Sequence, residues 1–116
     1  MLSWPPTVRI FLSAGPTDMR KGFDGLAHLV QSVLAEDPLS GHLFVFRNRR
    51  GDRLKILAWD QGGFWVLYKR LERGTFAWPG ESHGDLVTIR SSDLLLLLSG
   101  VDLAHTRRRR WYERVA

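Results

Sequence analysis

The chain has 116 residues, with 17 Lys and Arg against 12 Asp and Glu for a formal charge of +5, a length that supports one domain able to bury roughly two-thirds of its unfolded surface without staples. Hydrophobic residues make up 44% and charged residues 25%, a globular balance that argues against a largely disordered or fibrous chain. Cysteine is absent, which excludes disulfide frameworks, Cys-containing zinc sites, thiol nucleophiles and redox pairs. The longest unbroken apolar run, Leu94 to Leu98, falls far short of the ~20 residues that cross a bilayer. The start, Met1-Leu2-Ser3-Trp4-Pro5-Pro6, has no basic segment and carries two prolines, so no secretory signal is expected and a cytoplasmic location is.

In chain order, alternation in Val8-Arg9-Ile10-Phe11-Leu12 places Val8, Ile10 and Leu12 on one face of a first strand, ended by Gly15 and Pro16. Thr17 and Asp18 are expected to cap a helix. Met19, Phe23, Leu26, Leu29, Val30, Val33 and Leu34 then form its apolar stripe. Gly22 and Gly25 each weaken that helix by about 1 kcal/mol, which predicts irregular or closely packed first turns. After the turn Asp37-Pro38-Leu39-Ser40-Gly41, residues 42–46 and 54–59 read as a hairpin with a basic loop between them. Asp60-Gln61-Gly62-Gly63 turns into a third strand, Phe64 to Leu71, giving an antiparallel meander. Thr75 to Trp78 is expected to prolong the pattern until Pro79 stops it. Residues 80–85 read as a loop and Leu86 to Ile89 as a last strand. Ser91, Ser92 or Asp93 is predicted to cap a short helix through Leu94 to Leu98 that Gly100 stops. Apolar all round, that helix is expected to be buried on more than one side. The expected fold is α+β, a single domain over residues 1–116 with its core at about 8–104 and a basic tail at 105–116. An antiparallel meander of three to five strands would pack with one amphipathic helix and one short buried helix.

The positive charge is concentrated. Residues 47–55 carry +4, residues 107–114 carry +4, and the rest of the chain carries −3. A hairpin tip with Arg47, Arg49, Arg50, Arg53 and Lys55 can lie along a phosphate backbone, because guanidinium forks match phosphate oxygens two at a time. Arg20, Lys21, Lys69 and Arg70 would extend that surface if the fold brings them near, and Arg107, Arg108, Arg109 and Arg110 form a second basic segment. A solvated tip and tail would carry the same arginines for solubility alone. Trp59, Phe64, Trp65, Tyr68, Phe76 and Trp78 could stack unpaired bases, although core packing accounts for such a cluster more economically. His28, His42, His83 and His105 have no metal-binding spacing, and phosphate-loop and dinucleotide glycine motifs are absent. Asp18, Asp24 and Asp60 could serve a metal-dependent nuclease only if the fold gathered them; each already has a cap, helix or turn role. No catalytic residue, metal or cofactor is therefore expected.

One long ordered set of motifs is specific. It comprises Pro16-Thr17-Asp18-Met19-Arg20-Lys21, Phe23-Asp24-Gly25-Leu26, Asp37-Pro38-Leu39-Ser40-Gly41, the run from Phe44 to Leu57, Trp59-Asp60, Gly63-Phe64, Tyr68-Lys69-Arg70-Leu71-Glu72, Gly74, Phe76 and Trp78-Pro79. Over residues 8–102 the chain resembles the small TnpB-type accessory protein encoded by the second reading frame of bacterial insertion sequences of the family numbered sixty-six, a family distinct from the RNA-guided nuclease that shares the TnpB name. The chain departs from it at Ala58, where the family usually has an aromatic, and in the arginine tail. The resemblance implies a part in transposition beside a separate, larger transposase, and brings no catalytic residues with it. Three expectations follow: a non-enzymatic module contacting element DNA through the basic hairpin, a protein adaptor for the transposase with little DNA contact, and, last, a metal-dependent nuclease. DNA and the transposase are the expected partners, no membrane is, and the oligomeric state is left open.

Overall fold

The computed structural model describes residues 7–79 and 85–100. Its elements are β1 (Ile10–Ser13), α1 (Phe23–Ser32), β2 (Leu43–Arg47), β3 (Arg53–Asp60), β4 (Gly63–Arg70), β5 (Leu86–Ile89) and α2 (Ser91–Ser99). They build an α+β fold around one five-stranded sheet in the order β4-β3-β2-β1-β5. β2, β3 and β4 form the expected meander, with Val45 opposite Ile56 and Leu57 opposite Val66. β1 departs from it: it runs parallel to β2, Ile10 beside Leu43, and antiparallel to β5, Ile10 beside Ile89. The physical reason is the connection. A hairpin reverses direction, whereas a segment carrying a helix can cross over the sheet and return the chain parallel.

Both faces of the sheet are covered, so the central strands bury residues of either parity. On one face Phe11, Phe44, Phe46 and Leu57 pack against Leu26 and Val30 of α1 and against Leu34 just beyond it. On the other, Ile10, Leu12, Leu43, Val45, Leu54 and Ile56 pack against Leu94 and Leu97 of α2 and against Phe76. Val8, Ile10 and Leu12 share this second face as their alternation predicts.

Several boundaries move for local reasons. α1 begins at Phe23 rather than after Asp18, with Gly22 as an N-cap that offers no side chain. Asp18 is withheld from capping because its carboxylate accepts from the backbone N–H of Arg20 at 2.9 Å and from the Arg20 guanidinium. Gly22 therefore lies outside the helix body, while Gly25 lets the Lys21 stem pass, a Cβ there standing 3.1 Å from that of Lys21. Thr75 to Trp78 is not a strand. Phe76 donates its N–H to the Gly51 carbonyl at 2.8 Å and inserts into the core, and the Trp78 indole donates to the Ser13 carbonyl at 3.0 Å. α2 starts after Arg90 without a side-chain cap, Asp93 accepting instead from the Arg90 Nε at 3.2 Å, and it stops at Gly100 as expected. Leu94 and Leu97 are buried, but Leu95 is 69% exposed, so α2 is covered on one side only.

Candidate nucleic-acid interface

β1 and β2 end, and β3 begins, at one edge of the sheet, with the end of β4 and the start of β5 beside them. The β2–β3 tip stands there and Asn48 organises it. The Asn48 side-chain oxygen accepts from the N–H groups of Gly51 and Arg53 at 2.9 and 3.0 Å, and its amide donates to the Asp52 carboxylate at 2.7 Å. That bond, the largest cause, holds the Asp52 carboxyl below the usual carboxylate range. Gly51 is buried with φ +82°, a conformation that L side chains adopt only at a cost of roughly 1–2 kcal/mol. The Gly51 and Asp52 carbonyls accept from the N–H groups of Phe76 and Leu71, which fastens the tip to the chain leaving β4. Arg49 and Arg50 are left exposed at its apex.

Residues 14–22, leading from β1 to α1, form a strap beside this tip. Thr17 donates its N–H to the Arg47 carbonyl at 2.7 Å. Lys55, only 9% exposed, reaches under the strap from β3, and its ammonium donates to the Met19 and Lys21 carbonyls at 2.8 Å each. The same ammonium lies 4.7 Å from the centre of the Tyr68 ring. A buried cation is tolerated only when it is bonded, and two carbonyls and a π face supply the bonding. Asp18 and Arg20 pair at 2.8 Å on the outside of the strap, and the hydrogen bond from the Arg20 side chain brings the Asp18 pKa down to about 2. The pair accordingly persists above the ordinary carboxylate range and is lost only as the pH falls toward 2. Between strap and tip lies a cleft of about 480 Å³ lined by Pro16, Thr17, Asp18, Met19, Asn48, Arg49 and Arg50.

Strap and tip are thus two stretches of sequence brought to one cleft by the parallel crossover. The family model described as IS66 Orf2 like protein matches residues 8–108, which span both. The chain belongs to the IS66 Orf2-like family. Two relatives from Sinorhizobium fredii strain NGR234 agree: the uncharacterized protein y4hO is 46% identical over 105 residues, 90% of each chain, and the uncharacterized protein y4jC is 38% identical over 102 residues, 88% of this chain and 86% of its own. No solved structure matches. As an IS66 Orf2-like protein, the chain is an accessory protein of an insertion sequence.

Within this IS66 Orf2-like fold the cations expected to contact nucleic acid separate into two groups. Arg20 and Lys21 on the strap, Arg49 and Arg50 on the tip, and Arg53 and Arg70, which oppose each other across β3 and β4, are exposed at the same end of the sheet. Arg70 also pairs with Glu72 at 3.0 Å. Arg47, Lys55 and Lys69 are engaged by the protein itself. Arg47 donates to the Ala14 carbonyl at 3.2 Å and lies 5.5 Å from the Trp78 ring centre; burial first, and the charge of Arg49 second, lower its pKa. Lys69 is on the opposite face, where its ammonium donates to the Leu98 carbonyl in the last turn of α2. Arg107, Arg108, Arg109 and Arg110 lie outside the described residues.

The aromatic set also divides. Phe76 is in the core, Trp59 and Phe64 meet edge to face at 5.0 Å, and Trp78 is half-buried, whereas Trp65 and Tyr68 are 47% and 52% exposed. Asp60 closes β3 at the end remote from Asp18, about 24 Å along an eight-residue strand. Among the described residues no three His, Asp or Glu side chains come together at metal-binding distance. His42 is structural, its Nδ1 accepting from the Arg9 N–H at 3.0 Å, and His83 and His105 lie outside the described residues. One contributor escaped the sequence reading: Asn48, signalled only by an Asn three residues before a Gly. Among the described residues no helix is long and apolar enough to cross a membrane.

Proposed function

We propose that this chain serves its insertion sequence as a non-catalytic module that binds element DNA at the strap-and-tip end of the sheet. One observation carries the reading: the strap that bears the exposed Arg20 and Lys21 lines one cleft, through Pro16 to Met19, with Arg49 and Arg50 of the tip, and the exposed Arg53 begins β3 just after that tip. Cations clustered at one end give an electrostatic footprint for phosphates, which supplies affinity without sequence discrimination. The tail arginines Arg107 to Arg110 add charge to the same task, and the transposase of the element is the protein partner.

The test is fluorescence anisotropy with labelled DNA across a salt series. Duplex affinity falls with log salt by about 0.9 for each phosphate neutralised, so the combined Arg49→Ala, Arg50→Ala and Arg53→Ala variant is expected to flatten the slope by about 2.7. Absence of binding at low salt, or a slope unchanged by the triple variant, overturns the proposal. The adaptor reading finds support in Trp65 and Leu95, both exposed and apolar. Full retention of the transposase by a triple variant that has lost DNA would favour a contact separate from the cleft.

A further inference from the structure

Tyr68 stands out among the exposed side chains because it is both open to solvent and fixed. It is 52% exposed on an edge strand. The Lys55 ammonium lies over its ring at 4.7 Å, and its hydroxyl accepts from the Arg53 guanidinium at 3.3 Å. Lys55 is itself immobilised by the Met19 and Lys21 carbonyls, so the ring is held against the strap. Arg70 lies two residues further along the same face of β4, opposite Arg53 of β3, and both are exposed.

An aromatic ring kept rigid, half in water and neighboured by Lys55, Arg53 and Arg70 has a specific chemical use. A flat π surface receives the face of another planar ring, while the cations track a phosphate chain on either side. In a duplex the base faces are occupied by their neighbours, and only groove edges and phosphates are offered. The face of the ring finds its planar partner most readily where a base is unpaired. We infer that the preferred ligand is single-stranded DNA, with one unpaired base stacked on Tyr68 and its phosphates held by Arg53 and Arg70. This rests on the DNA-binding reading above and names its substrate class.

The experiment uses the full chain and labelled oligonucleotides of one sequence as single-stranded DNA, duplex DNA and single-stranded RNA. The wild-type protein is expected to bind the single strand more tightly than the duplex. Tyr68→Ala should weaken single-strand binding about tenfold and leave duplex binding unchanged, since the base loses its stacking partner; Tyr68→Phe should retain it. A 2-aminopurine in the strand should lose fluorescence on binding wild type and Tyr68→Phe but not Tyr68→Ala. Should Tyr68→Ala fail to fold, the wild-type preference and the 2-aminopurine quench still decide. Duplex bound as tightly as single strand with no quench, or Tyr68→Ala weakening both DNAs equally, overturns the inference while leaving DNA binding intact. RNA bound more tightly than DNA overturns the choice of nucleic acid, and no binding to any of the three removes the underlying function.

Discussion

Arg53 and Lys55 are two residues apart on β3 and share one face of it, yet Arg53 meets water and Lys55 meets two carbonyls and an aromatic ring. The difference is made by the strap, which passes over one position and not the other. Lys55 therefore fixes the strap that carries Arg20 and Lys21, and under the proposed DNA binding it is a positioning residue. Lys55→Met keeps the apolar stem and removes both charge-assisted bonds. Its expected effect is a stability loss of about 2 kcal/mol and early tryptic cleavage after Arg20 or Lys21. Limited proteolysis with mass-spectrometric mapping reads this without DNA; a strap cut no faster than in wild type would return Lys55 to the phosphate-contacting group. At this scale the sequence discloses where charge is concentrated but not which charges are outward. Nothing in the local pattern of Leu54-Lys55-Ile56 announces that the alternate position, which in a strand exposed on one face would be solvated, lies beneath a segment more than thirty residues earlier in the chain.

Among the elements, α2 shows how a helix with five successive leucines is fixed in place. Its buried residues are Asp93, Leu94 and Leu97, its first turn is pinned by Asp93 to Arg90, and its last turn receives the Lys69 ammonium at the Leu98 carbonyl. A cation at a helix C-terminus satisfies a carbonyl that the helix leaves free and complements the partial negative charge there. Lys69→Met should therefore cost about 0.3–1 kcal/mol in chemical denaturation with DNA affinity unaltered. A loss of affinity comparable with that of Arg70→Ala would contradict the assignment of Lys69 to the far face. Element types were largely readable here: the helical stripe, the meander and the Gly100 stop each have a local cause. The early start expected for α1 failed because Asp18 found a nearer partner in Arg20. The strand expected at residues 75–78 failed because Phe76 is used as a plug under the tip.

Across the whole molecule, the parallel β1–β2 pair builds the candidate interface, because it returns the chain so that strap and tip meet at one end. The burial of Phe11 on one face and of Ile10 and Leu12 on the other marks β1 as central. Which strand it adjoins is set by packing of α1 on the sheet, a non-local choice that alternation does not encode. The same architecture separates folding from binding. The outward cations rest on a core they do not support, while the inward cations close gaps in the scaffold. Replacing Arg20, Arg49 and Arg50 by Gln together should leave unfolding free energy within about 0.5 kcal/mol per site of wild type and flatten the salt dependence of DNA binding. Arg47→Met should do the reverse. It strips the Ala14 carbonyl of its donor beside Trp78, lowering stability by about 1–3 kcal/mol without changing the slope. Measuring denaturant midpoint and salt slope for both variants places them at opposite corners. If Arg47→Met flattened the slope and spared the midpoint, the inward guanidinium would have to be counted among the phosphate contacts, and the strap-and-tip surface would extend onto the opposite face of the sheet.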